Sequence, residues 1–156
     1  MNHLRRNLLK GTGAAGTVAV AIAAGLLKPS QVLAAEWNKA AFNAKTMADA
    51  MKSIGAGAPL DSKDIKIKAP NIAENGAVVP IEVISNIPGT ESIAIFVEKN
   101  ATPLAAEFKF SNGTEGYVST RIKMLKSSLV RAVVKAGGKT YTAAKEVKVT
   151  IGGCGG

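Results

Sequence analysis

Residues Ser128 to Ile151 read SLVRAVVKAGGKTYTAAKEVKVTI, two runs of alternating character joined by Gly137-Gly138. A period of two sends successive side chains to opposite faces of a strand, and a Gly-Gly pair accepts the positive φ of a tight hairpin turn. The stretch predicts two antiparallel strands, with Val147, Val149 and Ile151 on one face of the second. Upstream the same grammar repeats in KDIKIKA, AVVPIEVI, SIAIFVEK, PLAAEFKF and GYVSTRIKM. Ile65 and Ile67 share a face, as do Ile93, Ile95 and Val97, and Val118, Thr120, Ile122 and Met124. Breaks fall at Asn75-Gly76, Pro88-Gly89 and Asn112-Gly113. Seven short runs separated by turn residues predict a mainly β fold: an immunoglobulin-like antiparallel β-sandwich of about seven strands.

Before the strands, AEWNKAAFNAKTMADAMKSIG places Trp37, Ala41, Ala44, Ala48, Met51 and Ile54 at spacings near three and four. That stripe predicts one amphipathic helix closed by Gly55, followed by the connector GAGAPLDS. Pro80 interrupts a convincing strand, and a residue without an amide donor marks a sheet edge or a bulge. Arg121, Lys123, Lys126, Arg131 and Lys135 fall on two predicted adjacent strands and their turn, and read as a solvated face with no site role. Asp61 and Asp64 sit at the connector and read as turn-capping carboxylates.

The chain starts as an address. Its first 34 residues carry Arg5, Arg6, Lys10 and Lys28, no acidic residue, and an apolar Gly/Ala-rich middle ending in Val32-Leu33-Ala34. This pattern predicts a signal peptide over residues 1–34, cleaved after Ala34 or Ala35. The Arg5-Arg6 pair resembles the twin-arginine export signal, with Leu4 and Leu8 departing from the usual Ser/Thr and Phe; the alternative is a general secretory signal in which two arginines adjoin. The apolar run from Val18 to Leu27 is shorter than a bilayer requires. The expected location is the periplasm, as a soluble protein. Removing the leader lowers the net charge from +9 to +5, with 16 basic and 11 acidic residues spread along the chain. A nucleic-acid binder would concentrate its cations and interleave aromatics. Residues 35–151 then form the helix-plus-sandwich domain, and 152–156 a terminal arm.

What the residues exclude is as informative. The single histidine, His3, lies in the leader, so the processed chain has no imidazole for a serine or cysteine nucleophile or for a metal. One cysteine cannot build an iron-sulfur cluster or an internal disulfide. No glycine-rich nucleotide loop occurs. The reading is of a protein that is not an enzyme and holds no cofactor or metal.

That one cysteine, Cys154, stands between Gly152-Gly153 and Gly155-Gly156 at the very end of the chain. Three residues beyond the last alternating position at about 3.3 to 3.6 Å each put the thiol some 10 Å past the sandwich. Glycines leave such a segment thin and conformationally free. Catalysis needs groups held in place, whereas a carrier must enter several pockets in turn. No cation lies within five positions of Cys154, and an unactivated thiol is only a few per cent thiolate at pH 7. Activation therefore belongs to whatever receives the arm. The alternative use is an interchain disulfide in a secreted structural or interaction protein.

The ending KEVKVTIGGCGG, with VRAVVKAGGKTYTA before it, the ENGAVVP segment, the helical start at Trp37 and the twin-arginine-like leader together resemble the SoxY family, the sulfur-carrier subunits of the periplasmic thiosulfate-oxidising Sox system. The resemblance implies that Cys154 covalently holds sulfur intermediates. It implies a heterodimer with SoxZ and transient complexes with the c-type cytochrome SoxAX, the manganese-dependent hydrolase SoxB and, in some organisms, the sulfane dehydrogenase SoxCD.

Overall fold

All seven alternating runs pair as strands. The computed structural model describes residues 38–111 and 113–150, and within them two short helices precede nine strands. The helices are α1 (Lys39–Asn43) and α2 (Met47–Ser53). The strands are β1 (Leu60–Asp61), β2 (Ile65–Lys68), β3 (Ile72–Ala73), β4 (Val79–Ser85), β5 (Thr90–Val97), β6 (Leu104–Lys109), β7 (Gly116–Ile122), β8 (Ser128–Ala136) and β9 (Lys139–Val149). One sheet runs β1-β9-β8-β5-β6, with β3 also on β9, and the other runs β2-β4-β7. This is the mainly β sandwich that the alternation predicts.

The hairpin at Gly137-Gly138 forms as read, with φ of 55° and 72° and Ala136 opposite Lys139. Two consecutive positive φ values are those of a type I′ turn, whose twist suits the strands it joins. Between the sheets lie Ile93, Ile95 and Val97 of β5, Val130, Ala132 and Val134 of β8, and Val147 of β9. They meet Ile65 of β2, Val79, Ile81 and Val83 of β4, and Val118 and Ile122 of β7. Burying a side chain of this size is worth about 1.5 to 3 kcal/mol, so this layer dominates the favourable side of folding.

A second apolar layer covers the outer face of the larger sheet. Ala94 and Phe96 of β5, Leu104 of β6 and Val133 of β8 pack there with Ala41, Ala50, Ile54 and Ala56. This is why β5 is buried along both faces from Ser92 to Val97.

Three expectations need correction. The single predicted helix is two: Thr46 accepts a hydrogen bond from the Asp49 N–H (3.1 Å) and starts a new helix in a new phase. Ala50 is therefore buried while Ala48, on the expected stripe, is exposed. The strands carrying Arg121 and Arg131 are not neighbours, because β7 and β8 lie in different sheets. Arg131 instead donates twice to Glu98 Oε1 (3.0 and 3.2 Å), and Lys135 Nζ donates to the Ile54 carbonyl at the end of α2. The third correction is the strand count, raised to nine by the two-residue strands β1 and β3, which pair in parallel with β9.

Pro80 resolves the edge-or-bulge choice. Its register with Arg121 of β7 is unbroken, and β2 pairs with β4 only at Glu82–Ser85, so the proline sits where β4 has one neighbour. Asp61 lies in β1, and Asp64 belongs to a turn in which its N–H donates to Ser62 Oγ (3.2 Å).

Candidate functional site

The sequence assigns its chemistry to the end of the chain, and the described residues show how that end is rooted. Cys154, with Gly152, Gly153, Gly155 and Gly156, lies outside the described residues, as do Arg5, Arg6, His3, Trp37, Asn112 and Ile151. What is seen is β9 arriving at Thr150 and the lattice of hydrogen bonds that fixes it.

On one edge of β9, the Lys148 N–H donates to the Asn71 carbonyl (3.0 Å) and the Thr150 N–H to the Ala73 carbonyl (3.1 Å). These are the bonds of the parallel β3 pairing, Ile72 opposite Lys148 and Ala73 opposite Val149. Thr150 Oγ1 adds a long bond to the Glu74 carbonyl (3.4 Å). On the other edge, beyond the start of β8, Ser127 Oγ accepts from the Val149 N–H (2.9 Å) and donates to the Val149 carbonyl (3.4 Å). The last strand is thus held on both sides up to its final described residue.

The loop 123–127 that supplies Ser127 is itself tied down. Asn100 Nδ2 donates to the Lys123 carbonyl (2.7 Å), and its Oδ1 accepts from the Leu125 N–H (3.0 Å). The Met124 N–H donates to the Gly76 carbonyl (2.7 Å), and the Met124 side chain is fully buried. Gly76 is the tightest point: a Cβ there would stand 2.4 Å from the Met124 carbonyl oxygen and 2.8 Å from Val149 Cγ1. The glycine is required by close approach of three chain segments, and Asn75 Oδ1, accepting from the Ala77 N–H (2.9 Å), turns the chain beside it.

Around this root the surface combines aliphatic and basic side chains. Ile72, Val78 and Leu125 are 59%, 50% and 44% exposed, and Lys99, Lys123, Lys126 and Lys148 are exposed beside them. None of these lysines makes an ion pair among the described residues, where the pairs are Lys68 with Glu82 and Arg131 with Glu98. A cleft of about 470 Å³ opens next to Leu125, between the free edges of β6 and β7, with Asn100, Leu104, Thr120 and Arg121 in its walls.

A cleft of about 650 Å³ lies at the other pole, among the β4–β5 and β6–β7 connections. It holds Glu91, Glu115, Tyr117 and several hydroxyls, and it lies near the start of β9, away from Thr150. Among the described residues no three of His, Cys, Asp and Glu converge as a metal site would require, and no helix is long and apolar enough to cross a membrane. Sequence reasoning missed Ser127, Gly76 and Asn100 as parts of the root; only the Asn75-Gly76 turn left a local signal.

The comparisons with known proteins bear on this geometry. The family described as sulfur oxidation protein SoxY matches residues 50–154, a span that reaches the terminal cysteine. The solved structure of the sulfur carrier protein SoxY from Chlorobium limicola f thiosulfatophilum is 45% identical, covering 66% of this chain and 94% of that one with a TM-score of 0.60. A superoxide reductase (neelaredoxin) from Ignicoccus hospitalis aligns at 20% identity over 55% of this chain and 79% of its own, with a TM-score of 0.49, too weak to bear on fold or function. No curated protein sequence matches the chain.

Proposed function

The chain belongs to the SoxY family of sulfur carriers in sulfur oxidation, and on that premise we propose that Cys154 is the covalent attachment point for thiosulfate-derived intermediates. The observation that carries this reading is the contrast at the end of β9. The strand is pinned through Thr150, and the only thiol in the chain follows four residues later among glycines. A firmly rooted chain end with a reactive atom beyond it is the design of a carrier arm, with Gly152, Gly153, Gly155 and Gly156 as its slender parts.

The proposed cycle starts with oxidative conjugation. The Cys154 sulfur and the sulfane sulfur of thiosulfate each give up one electron as an S–S bond forms. The two electrons pass to the c-type cytochrome SoxAX, and the thiol proton goes to solvent. In the next step SoxB, a manganese-dependent hydrolase, adds water to the terminal sulfone. The bond between sulfone and sulfane breaks, sulfate and a proton leave, and a persulfide stays on Cys154. Where SoxCD is present, water supplies three oxygens to the persulfide sulfane while six electrons pass to SoxCD and the protons go to solvent. Hydrolysis of the resulting S-sulfonate then releases sulfate and a proton and restores the thiol.

The carrier contributes no catalytic residue and binds no cofactor in this reading. SoxZ is its partner subunit, and the pair works in the periplasm. A disulfide-linked dimer is the competing use of the same sulfur, and one experiment separates the two. Intact-mass measurement after incubation of the processed protein with thiosulfate, SoxAX and SoxZ is expected to show a thiosulfonate adduct on the native chain and none on Cys154→Ser. An adduct that survives Cys154→Ser, or a native chain that only ever dimerises, overturns the proposal.

A further inference from the structure

We infer that the pole surrounding Thr150 is a docking face for an acidic-rimmed, apolar-centred mouth on an enzyme that acts on the carried group. The inference rests on the carrier reading and adds to it the surface and the chemistry of its partner. Its first ground is reach. Cys154 is four residues from Thr150, so at full extension the two Cα atoms are at most about 14 Å apart. Any enzyme whose reacting centre lies inside a channel must therefore bring the channel rim close to Thr150. The face that meets the rim is set by covalent geometry.

The second ground is what that face displays. Ile72 stands beside the root, opposite Lys148 in the β3–β9 pairing. Val78 follows the Gly76 turn that packs on Val149, and Leu125 follows Met124, which is bonded to Gly76. These three are about half exposed and stand together, whereas the other exposed large hydrophobic residues among those described, Leu60, Tyr117 and Leu129, are on β1, β7 and β8. An apolar centre loses water on contact, and that is where an interface gains most.

The third ground is charge. Lys99, Lys123, Lys126 and Lys148 lie around these aliphatic residues without an ion pair among the described residues, where the carboxylates of the same strand ends are Glu74, Glu146 and the Arg131-paired Glu98. The opposite pole mixes signs, with Glu91 and Glu115 in its cleft and Lys63, Lys109 and Lys139 exposed on the strand ends around it. An acidic rim complements the four lysines around the root, and such complementarity speeds productive encounter. The face is also stiff. Asn100, Gly76 and Ser127 fix the loop bearing Leu125 and Lys126, so docking orders little that is not already ordered.

The test uses the full processed carrier in complex with SoxZ, preloaded on Cys154, with purified SoxB as the probe and sulfate release as the readout. Lys123→Glu with Lys126→Glu is expected to raise KM roughly tenfold with kcat nearly unchanged, and to flatten the dependence of kcat/KM on ionic strength. Leu125→Ser is expected to raise KM without altering the ionic-strength dependence. Both changes lie at exposed positions, and circular dichroism with a denaturant titration establishes that the variants are folded. If KM is unchanged in both variants while Cys154→Ser cannot be loaded, the docking face is refuted and the carrier reading stands. If the variants instead lose SoxZ on size exclusion, the face belongs to the permanent subunit and the inference is overturned. A Cys154→Ser chain that still supports sulfate release overturns the carrier reading and the docking face together.

Discussion

Gly76 shows how much of the root depends on a missing side chain. Its position is enclosed by backbone on one side and by Val149 on the other, and the Met124 carbonyl oxygen, 2.4 Å from where a methyl carbon would stand, cannot swing aside as a side-chain tip could. Gly76→Ala is expected to cost about 1 to 3 kcal/mol, the range for overpacking a well-filled site. A denaturant titration of the variant checks this, and an unchanged midpoint would mean that the segments part more easily than their hydrogen bonds imply. The sequence offers Asn75-Gly76 as a turn, and the structure adds the reason for this particular glycine. Gly76 has no positive φ, so the demand is steric and comes from residues 48 and 73 positions further along the chain. Such long-range contacts leave no local pattern. Cys154, by contrast, is legible at once because solitude, terminal position and glycine neighbours are properties of the sequence itself.

Among the elements, those with a long period-two run were readable and those without one were not. In β4, Val79, Ile81 and Val83 point to the core while Pro80 and Glu82 point away, so the pattern records the environment directly. Strands β1 and β3 have two residues each, with Leu60, Asp61 and Ile72 all exposed, and they exist only because β9 offers a parallel partner. The helical segment misleads for a different reason: alanines at 41, 44, 48 and 50 fit several phases, and the stripe runs on through a break that Thr46 imposes. Thr46 both accepts from the Asp49 N–H and donates to Asp49 Oδ2 (2.7 Å), so α2 is started by a single side chain. Thr46→Ala is expected to lower stability by about 1 kcal/mol, and Thr46→Ser to restore most of it. Thermal unfolding of the two variants checks this, and equal values would assign the start of α2 to packing alone.

For the molecule as a whole, the proposed export signal at Arg5-Arg6, on a protein proposed to bind no cofactor, raises a question of export. The proposed answer is that the carrier folds with SoxZ, which the family resemblance implies has no leader of its own, and that the pair crosses the membrane together. Replacing Arg5 and Arg6 with lysines is expected to leave both subunits in the cytoplasm, as measured by fractionation and immunoblotting; SoxZ reaching the periplasm normally would refute joint export. On the proposed carrier reading the sandwich has a further consequence, because an arm that enters an enzyme must also be withdrawn. Tension applied at the chain end runs along β9, while the hydrogen bonds to β8 and β3 lie across it. Those bonds are loaded side by side in shear, so they share the force and do not peel one after another. The terminus can be tugged free of a tight tunnel without unravelling the body that holds it.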